Sequence, residues 1–317
     1  MSNQHEREIE ALRRAMGTMP ETNPQRKDEV LYGLKHLRVE LVDGPHNPYK
    51  AIYEMVTSTW GSRDNWMDRW ENATPEGRMS VVEATLAGKT LPTALEAAGF
   101  CWMIQGCTRS AFDQLARHRA SGISSVGSRD NNHADAAVVF SNKQKIHDAE
   151  NRAWWKATKD IYCGRLDGDR MTWQDAREFL PMSMEWRFSW TMNFRGFQDV
   201  CKQRLVFCEQ WDTVGVVWAM RQKLAQQYPL LAAYCRPRCD FGGKCTYNTT
   251  YALSEMFGAL FSPCGRNPSE AGLYSTFNEA CTDAEELEAD LGFYIPMAGE
   301  WDSIVEQARK LDMGMFE

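Results

Sequence analysis

Arg117-His118-Arg119, followed after nine residues by Arg129, is the stretch whose residue types and spacing most directly suggest chemistry. The run between them, Ala-Ser-Gly-Ile-Ser-Ser-Val-Gly-Ser, is small and turn-forming, so its backbone N–H groups can line a concavity between the basic side chains. Guanidinium forks grip phosphate oxygens in pairs, and the pattern reads as a cradle for a phosphate or diphosphate. Taken alone, the same residues are also compatible with a solvated basic face at a helix end, where the macrodipole favours cations.

A second constellation lies downstream, in Ala176-Arg177-Glu178-Phe179-Leu180-Pro181, Asn193-Phe194-Arg195, Arg204 and Gln210-Trp211-Asp212. With Gln114-Leu115-Ala116 ahead of the basic triplet, it resembles the flavin-dependent thymidylate synthases over about residues 37 to 230. Their signature is Arg-His-Arg, two variable residues, Ser, further small or polar residues, then Ser-x-Arg-Tyr. Their other marks are Ala-Arg-x-x-Leu-Pro, an Asn-x-Arg a dozen residues later, and an Arg shortly before Gln-Trp-Glu. Both outer parts of the signature are present, with Arg129 at the family's distance from Arg117, while its middle is altered; the three other marks appear in order and at family spacing, with Asp212 in place of the Glu.

The resemblance implies an α/β fold of the α+β type, a mixed sheet with long helices, assembled as a homotetramer whose active sites draw on more than one subunit. It implies an enzyme that methylates C5 of the uracil of dUMP, with methylenetetrahydrofolate as carbon donor and NADPH-reduced FAD as hydride source. Carried over by position, Gln114, Arg117, Arg129, Arg177 and Arg204 hold the nucleotide. Arg204 and Arg129 are the expected catalytic groups, Arg204 polarising the base as C5 becomes nucleophilic. Thr93, Glu96, Arg117, His118, Arg119, Asn193 and Arg195 match flavin contacts, as do Asp199 and Cys208, where relatives carry Asn and His. The hydride and methylene chemistry belongs to cofactor and co-substrate, so the protein mainly binds anions and orients.

Several departures from the pattern fall on the nucleotide side, and Leu91 falls on the flavin side. Gly122 and Gly127 stand where the family has its two Ser residues, with Ser121 and Ser128 adjacent; Asp130 replaces Tyr and Leu91 replaces a His. Transfer to UMP or dCMP, or transfer of hydroxymethyl, therefore stays open, as does a flavin- and nucleotide-binding protein without turnover.

These residues need elements to position them. Leu37, Val39 and Leu41 alternate with Arg38 and Glu40 as in a half-buried strand ended by Asp43-Gly44-Pro45, and Phe100 to Gln105 reads as a second strand ended by Gly106. Residues 48 to 88 read as helical with breaks, and Ser110 to Arg119 as a helix delivering the basic triplet at its C-terminal end. Residues 143 to 163 and 173 to 179 read as amphipathic helices, the second stopped by Leu180-Pro181. One long helix from Met184 to Gln203 or beyond is expected to bring Asn193, Val200 and Arg204 onto one face, with Cys208 a turn later. Residues 1–33 form a polar N-terminal extension, 34–232 the thymidylate synthase-like domain, and 233–317 a Cys-rich C-terminal extension packed on it, whose acidic Asp283–Asp290 reads as a solvated face.

A formal net charge of −7 disfavours nonspecific hold on nucleic acid or anionic membrane and suits focused basic residues on a small anionic ligand. No apolar run reaches the roughly 20 residues needed to span a bilayer. The charged N-terminus lacks a signal-peptide core, so a cytoplasmic protein with reduced thiols is expected. Gly88-Lys89-Thr90 is not a phosphate loop, because Glu83 stands where the required first Gly belongs. Cys235, Cys239, Cys245 and Cys264, with Cys281 behind them, lack paired CxxC spacing, and buried thiols are expected there rather than metal.

Overall fold

The computed structural model describes residues 29–60, 66–119, 121–129, 131–168, 171–206, 209–238, 287, 289–292 and 300–317. Its strands are β1 Val30–Tyr32, β2 Arg38–Asp43, β3 Gly99–Thr108, β4 Ser121–Ser125, β5 Val138–Phe140 and β6 Glu185–Asn193. β2, β3, β6 and β4 form, in that order, a wholly antiparallel sheet, while β1 and β5 pair in parallel beside it. The mixed sheet implied by the resemblance is thus divided into two sheets, one parallel and one antiparallel, linked through the isolated bridge between Val138 and Met184. Val30, placed in the N-terminal extension, is buried against Val138, so the extension enters the fold at its end.

The helices are α1 Pro48–Thr57, α2 Pro75–Leu86, α3 Arg109–Leu115, α4 Asp148–Asp167, α5 Phe194–Arg204, α6 Trp211–Gln227, α7 Pro229–Ala233 and α8 Trp301–Asp312, with single turns at Arg69–Asn72 and Trp173–Ala176. Asn47 and Thr74 cap α1 and α2 through their side chains, each followed by Pro at the first helical position, where its missing N–H costs nothing.

The expected long helix from Met184 is overturned. Trp186, Phe188, Trp190 and Met192 are buried while Arg187 and Thr191 are exposed, a period of two that makes this segment a strand. The chain turns helical only at Phe194, with Asn193 as N-cap accepting from the Gly196 N–H at 2.8 Å. Arg204 is the last residue of this 11-residue helix, so Asn193 and Arg204 sit at its two ends, roughly 15 Å apart, and still near one face, as eleven residues is close to three turns.

Gly106 does not end β3. At φ 101° it forms a bulge, with the register shifting between Gln105 and Cys107. A Cβ there would come within 3.0 Å of the His36 carbonyl and 3.1 Å of the Leu37 Cα, so glycine lets the backbone ahead of β2 pass close. The helix expected over Ser110 to Arg119 stops at Leu115, leaving the basic triplet on the turn that follows.

One face of the antiparallel sheet supplies the core. Phe100, Trp102 and Ile104 of β3 lie beside the buried β6 residues; Trp102 packs on Phe197 of α5 with ring centroids 4.8 Å apart, and Phe100 meets Phe194 edge-on. Each such side chain contributes about 1.5–3 kcal/mol by burial, which fixes α5 to the sheet. The C-terminal segment is tied to the same body: Asp312 accepts from the Tyr49 hydroxyl and the Leu230 N–H, and Arg309 forks onto Glu83 at 2.8 Å on both oxygens. Asp290, expected in a solvated face, is instead buried at 4% side-chain exposure and accepts from the Leu34 N–H at 2.8 Å. That correction has a simple cause, because a buried backbone donor needs an acceptor.

Cys235 is a buried free thiol, while Cys239, Cys245, Cys264 and Cys281 lie outside the described residues. Among the described residues no cluster of three or more His, Cys, Asp or Glu side chains is placed to hold a metal ion, and no helix is long and apolar enough to cross a membrane.

Candidate functional site

The end of α3, the end of α5 and the start of α6 converge. Thr108 caps α3 by accepting from the Ala111 N–H, and α3 carries Ser110 and Gln114 before releasing the chain into Arg117-His118-Arg119. Across from them, Arg204 donates from Nε to His118 Nε2 at 3.2 Å, from Nη2 to the Gln114 carbonyl at 3.5 Å, and from Nη1 to Glu209. These contacts span 86 and 90 residues of sequence and hold the guanidinium plane from three sides.

His118 can accept because it is neutral. Burial, and then the Arg204 charge beside it, push its pKa down to about 4. With Nε2 accepting, the proton sits on Nδ1. The His118 carbonyl accepts from the Ser121 hydroxyl at 2.7 Å, and that hydroxyl accepts from Trp190 Nε1 at 2.8 Å, so β4 and β6 fix the triplet's backbone.

A second line of hydrogen bonds runs inward from Gln114. Its Nε2 donates to Gln210 Oε1 at 2.6 Å, which also accepts from Ser110 at 3.0 Å, while Gln210 Nε2 donates to Asp212 Oδ1 at 2.7 Å. The other Asp212 oxygen accepts from the Thr108 hydroxyl at 2.5 Å and its N–H at 3.1 Å. Asp212 is fully buried, and burial pushes its pKa up against those hydrogen bonds. A carboxylate can only accept, so it dictates the direction of every donor in the chain: Gln210 must turn its amide NH2 inward and offer its oxygen to Gln114. Thr108, Ser110 and Gln210, with Ser141, Gln144 and Met182, also line a cleft of about 240 Å³.

The other sequence-predicted residues fall elsewhere. Arg117 and Arg119 are exposed on the turn flanking His118; Arg129 is exposed beyond β4, and Arg177 is half-buried on the turn Arg177–Phe179. Asn193 and Arg195 stand at the opposite end of α5, where Arg195 Nη1 pairs with Glu96 at 2.6 Å on the turn Pro92–Ala97 that also exposes Thr93. Asp199 is exposed and pairs with Lys202 at 3.2 Å. Cys208 lies outside the described residues.

Of the hydroxyls next to the replaced positions, Ser121 is engaged on both sides as described, and Ser128 is buried. Gly122 borders open space, and the Gly127 carbonyl accepts from Asn131 at 2.7 Å.

Three participants escaped the sequence reading: Glu209 on Arg204, Ser110 on Gln210, and Thr108 on Asp212. Only Glu209 left a signal, an acid five residues after Arg204 and directly before Gln210-Trp211-Asp212.

The site as a whole is a cationic, hydrogen-bond-rich end joined by α5 to a second surface at a helix N-terminus. A helix N-terminus beside an arginine suits an anionic group such as a diphosphate.

The chain is similar to known proteins. The profile of the thymidylate synthase complementing protein family matches residues 40–230. The flavin-dependent thymidylate synthase of Thermococcus kodakarensis is 29% identical over 224 residues, covering 66% of this chain and 89% of that protein. That of Pyrococcus abyssi is 26% identical over 225 residues, with the same coverage of 66% and 89%. Among solved structures, the UMP/dUMP methylase PolB from Streptomyces cacaoi, bound with 5-Br dUMP, is similar in fold at a TM-score of 0.55 and 16% identity, covering 65% of this chain and 96% of that one.

Proposed function

The chain belongs to the thymidylate synthase complementing protein family, that of the flavin-dependent thymidylate synthases, and from this premise we propose that it methylates C5 of a pyrimidine nucleotide, dUMP in the first place. The observation that carries the reading is the convergence of Arg204 with Gln114 and His118, 90 and 86 residues away in sequence, into one hydrogen-bonded group beside Arg117 and Arg119.

In this reading Gln114, Arg117, Arg129 and Arg177 bind the nucleotide's phosphate and base. Arg204 faces the base, where a guanidinium already held in place stabilises negative charge developing on a carbonyl oxygen without reorganising at the moment of reaction. Neutral His118 accepts from Arg204 and fixes its plane without adding a competing charge.

The residues at the other end of α5 fit FAD: Asn193, Arg195, Thr93 and Glu96, joined by Asp199, Cys208 and the basic triplet, would hold it. When bound, FAD reduced by NADPH supplies the hydride, and methylenetetrahydrofolate supplies the carbon. Because the two sets lie roughly 15 Å apart on one helix, the reading includes a homotetramer in which the flavin-side surface of one copy faces the nucleotide-side surface of another. Residues 34–232 carry the site, residues 1–33 and 233–317 are terminal extensions, and the protein works in the cytoplasm.

The test is product mass after anaerobic incubation of the FAD-loaded protein with NADPH, methylenetetrahydrofolate and, separately, dUMP, UMP and dCMP. A methylated product from dUMP is expected, with Arg204→Ala lowering turnover roughly 100-fold or more. A hydroxymethyl adduct or product from another nucleotide redirects the substrate assignment. Bound flavin without any product makes the chain a binding protein, and protein that takes up no FAD ends the flavin reading.

A further inference from the structure

We propose that the cleft between the end of β5 and the start of α6 is a second binding site, separate from the arginine-rich one, for an uncharged planar ring that carries an N–H beside a carbonyl, as a free nucleobase or nucleoside does. Such a site goes beyond the nucleotide reading and does not depend on it.

The cleft is built where the two sheets meet. Met182 and Ser183 run along it, the Met182 carbonyl accepting from the Ser110 N–H at 3.1 Å and the Ser183 carbonyl from the Val139 N–H at 2.8 Å, so α3 and β5 are pinned to one segment. Phe140 and Trp211 give the cleft aromatic surface, and Ser110, Ser141, Gln144 and Ser183 give it polar groups. Its volume of about 240 Å³ lies below the roughly 300–1,000 Å³ of sites for drug-sized ligands and suits a single ring.

The polar groups differ in what they offer. Asp212 takes the Thr108 hydroxyl proton and a Gln210 N–H, and Gln210 Oε1 accepts from both Gln114 and Ser110. The Ser110 proton is thereby spent, and its oxygen keeps only lone pairs. Among the described residues, the Ser141 and Ser183 hydroxyls and the Gln144 side-chain amide have no hydrogen-bond partner, so their donors are uncommitted. One fixed acceptor in company with free donors complements an N–H beside a carbonyl. No charged side chain lines the cleft, and a phosphate placed there would lose hydration without a counter-charge. A planar ring, by contrast, gains from stacking on Phe140 or Trp211, which favours a base over an open-chain amide.

The experiment is calorimetric titration of the full chain with uridine and N3-methyluridine, alone and at saturating dUMP, for the native protein, Ser110→Ala and Gln144→Ala, with thermal melting as the check on folding. Uridine is expected to bind the native protein with dUMP in place, and about tenfold tighter than its N3-methyl form. Ser110→Ala is expected to lose about tenfold in uridine affinity together with that discrimination, and Gln144→Ala, at an exposed position, about threefold. Should Ser110→Ala fail to fold, the Gln144→Ala loss decides.

Uridine binding that dUMP abolishes would put the nucleoside in the arginine-rich site and overturn the proposal, as would no uridine binding at all, or native affinity in folded Ser110→Ala. If dUMP binds and uridine does not bind beside it, the nucleotide reading stands and the cleft site falls. If uridine binds with the expected losses in the variants and dUMP does not bind, the cleft site stands and the nucleotide reading falls.

Discussion

The two ends of α5 carry the two halves of the candidate site in opposite ways. At its C-terminal end, Arg204 is 18% exposed and tied to His118, Gln114 and Glu209, and Gln114 leads through Gln210 to the buried Asp212. At its N-terminal end, Asn193 caps its own helix, and Arg195 and Glu96 form an ion pair with side chains 39% and 43% exposed. One end is oriented from within the chain; the other is presented outward, to be completed by whatever binds there. A single helix can therefore supply a rigid half-site and an open one, because its ends project into different surroundings.

If the inner end is held from within, its buried carboxylate should matter most for stability. Asp212→Ala leaves the Thr108 and Gln210 donors without their acceptor in the interior and is expected to cost about 3 kcal/mol, measured by denaturant unfolding. A loss under about 0.5 kcal/mol would mean that Asp212 does not organise this end.

A smaller effect should follow from His118. Its pKa of about 4 in the folded chain lies below the ordinary imidazole value of 6.5, so the folded state binds fewer protons than the unfolded chain between those values. This contribution is complete above about pH 6.5 and is lost as pH falls toward 4, by roughly 1 kcal/mol at pH 5 once partial exposure is allowed for. His118→Gln should flatten that part of the stability profile; an identical slope in the variant assigns it to other groups.

The smallest stability effect belongs to the outer end. Arg195→Ala removes an exposed ion pair and should change unfolding free energy by under about 1 kcal/mol, while weakening FAD retention roughly tenfold as the loss of one charged contact implies. A large stability loss with unaltered FAD binding would erase the contrast between the two ends.

Much of this was legible in residue order. The alternation over Leu37 to Leu41 marks β2, the Leu180-Pro181 stop falls after the turn Arg177–Phe179, and spaced arginines with their flanking residues point to the family. The error over Glu185–Asn193 is instructive. Spacing from Asn193 to Arg204 suits three helical turns, and that fit masked the alternation of Trp186, Phe188, Trp190 and Met192, which has the strand period. Helical spacing holds from Asn193 to Arg204, and the error lay in extending it back over the strand Glu185–Asn193.

The sequence by itself determined the chemical inventory: which guanidinium, imidazole and amide groups exist, their order, and the family they match, because identity and spacing are local properties of the chain. Tertiary structure alone decided that Arg204 meets His118 and Glu209, that Asp212 sets the polarity of Gln210 and Gln114, and that Arg195 pairs with Glu96 at the other end of α5. Those outcomes depend on burial and on the direction of hydrogen bonds between segments about 100 residues apart, which no local pattern encodes.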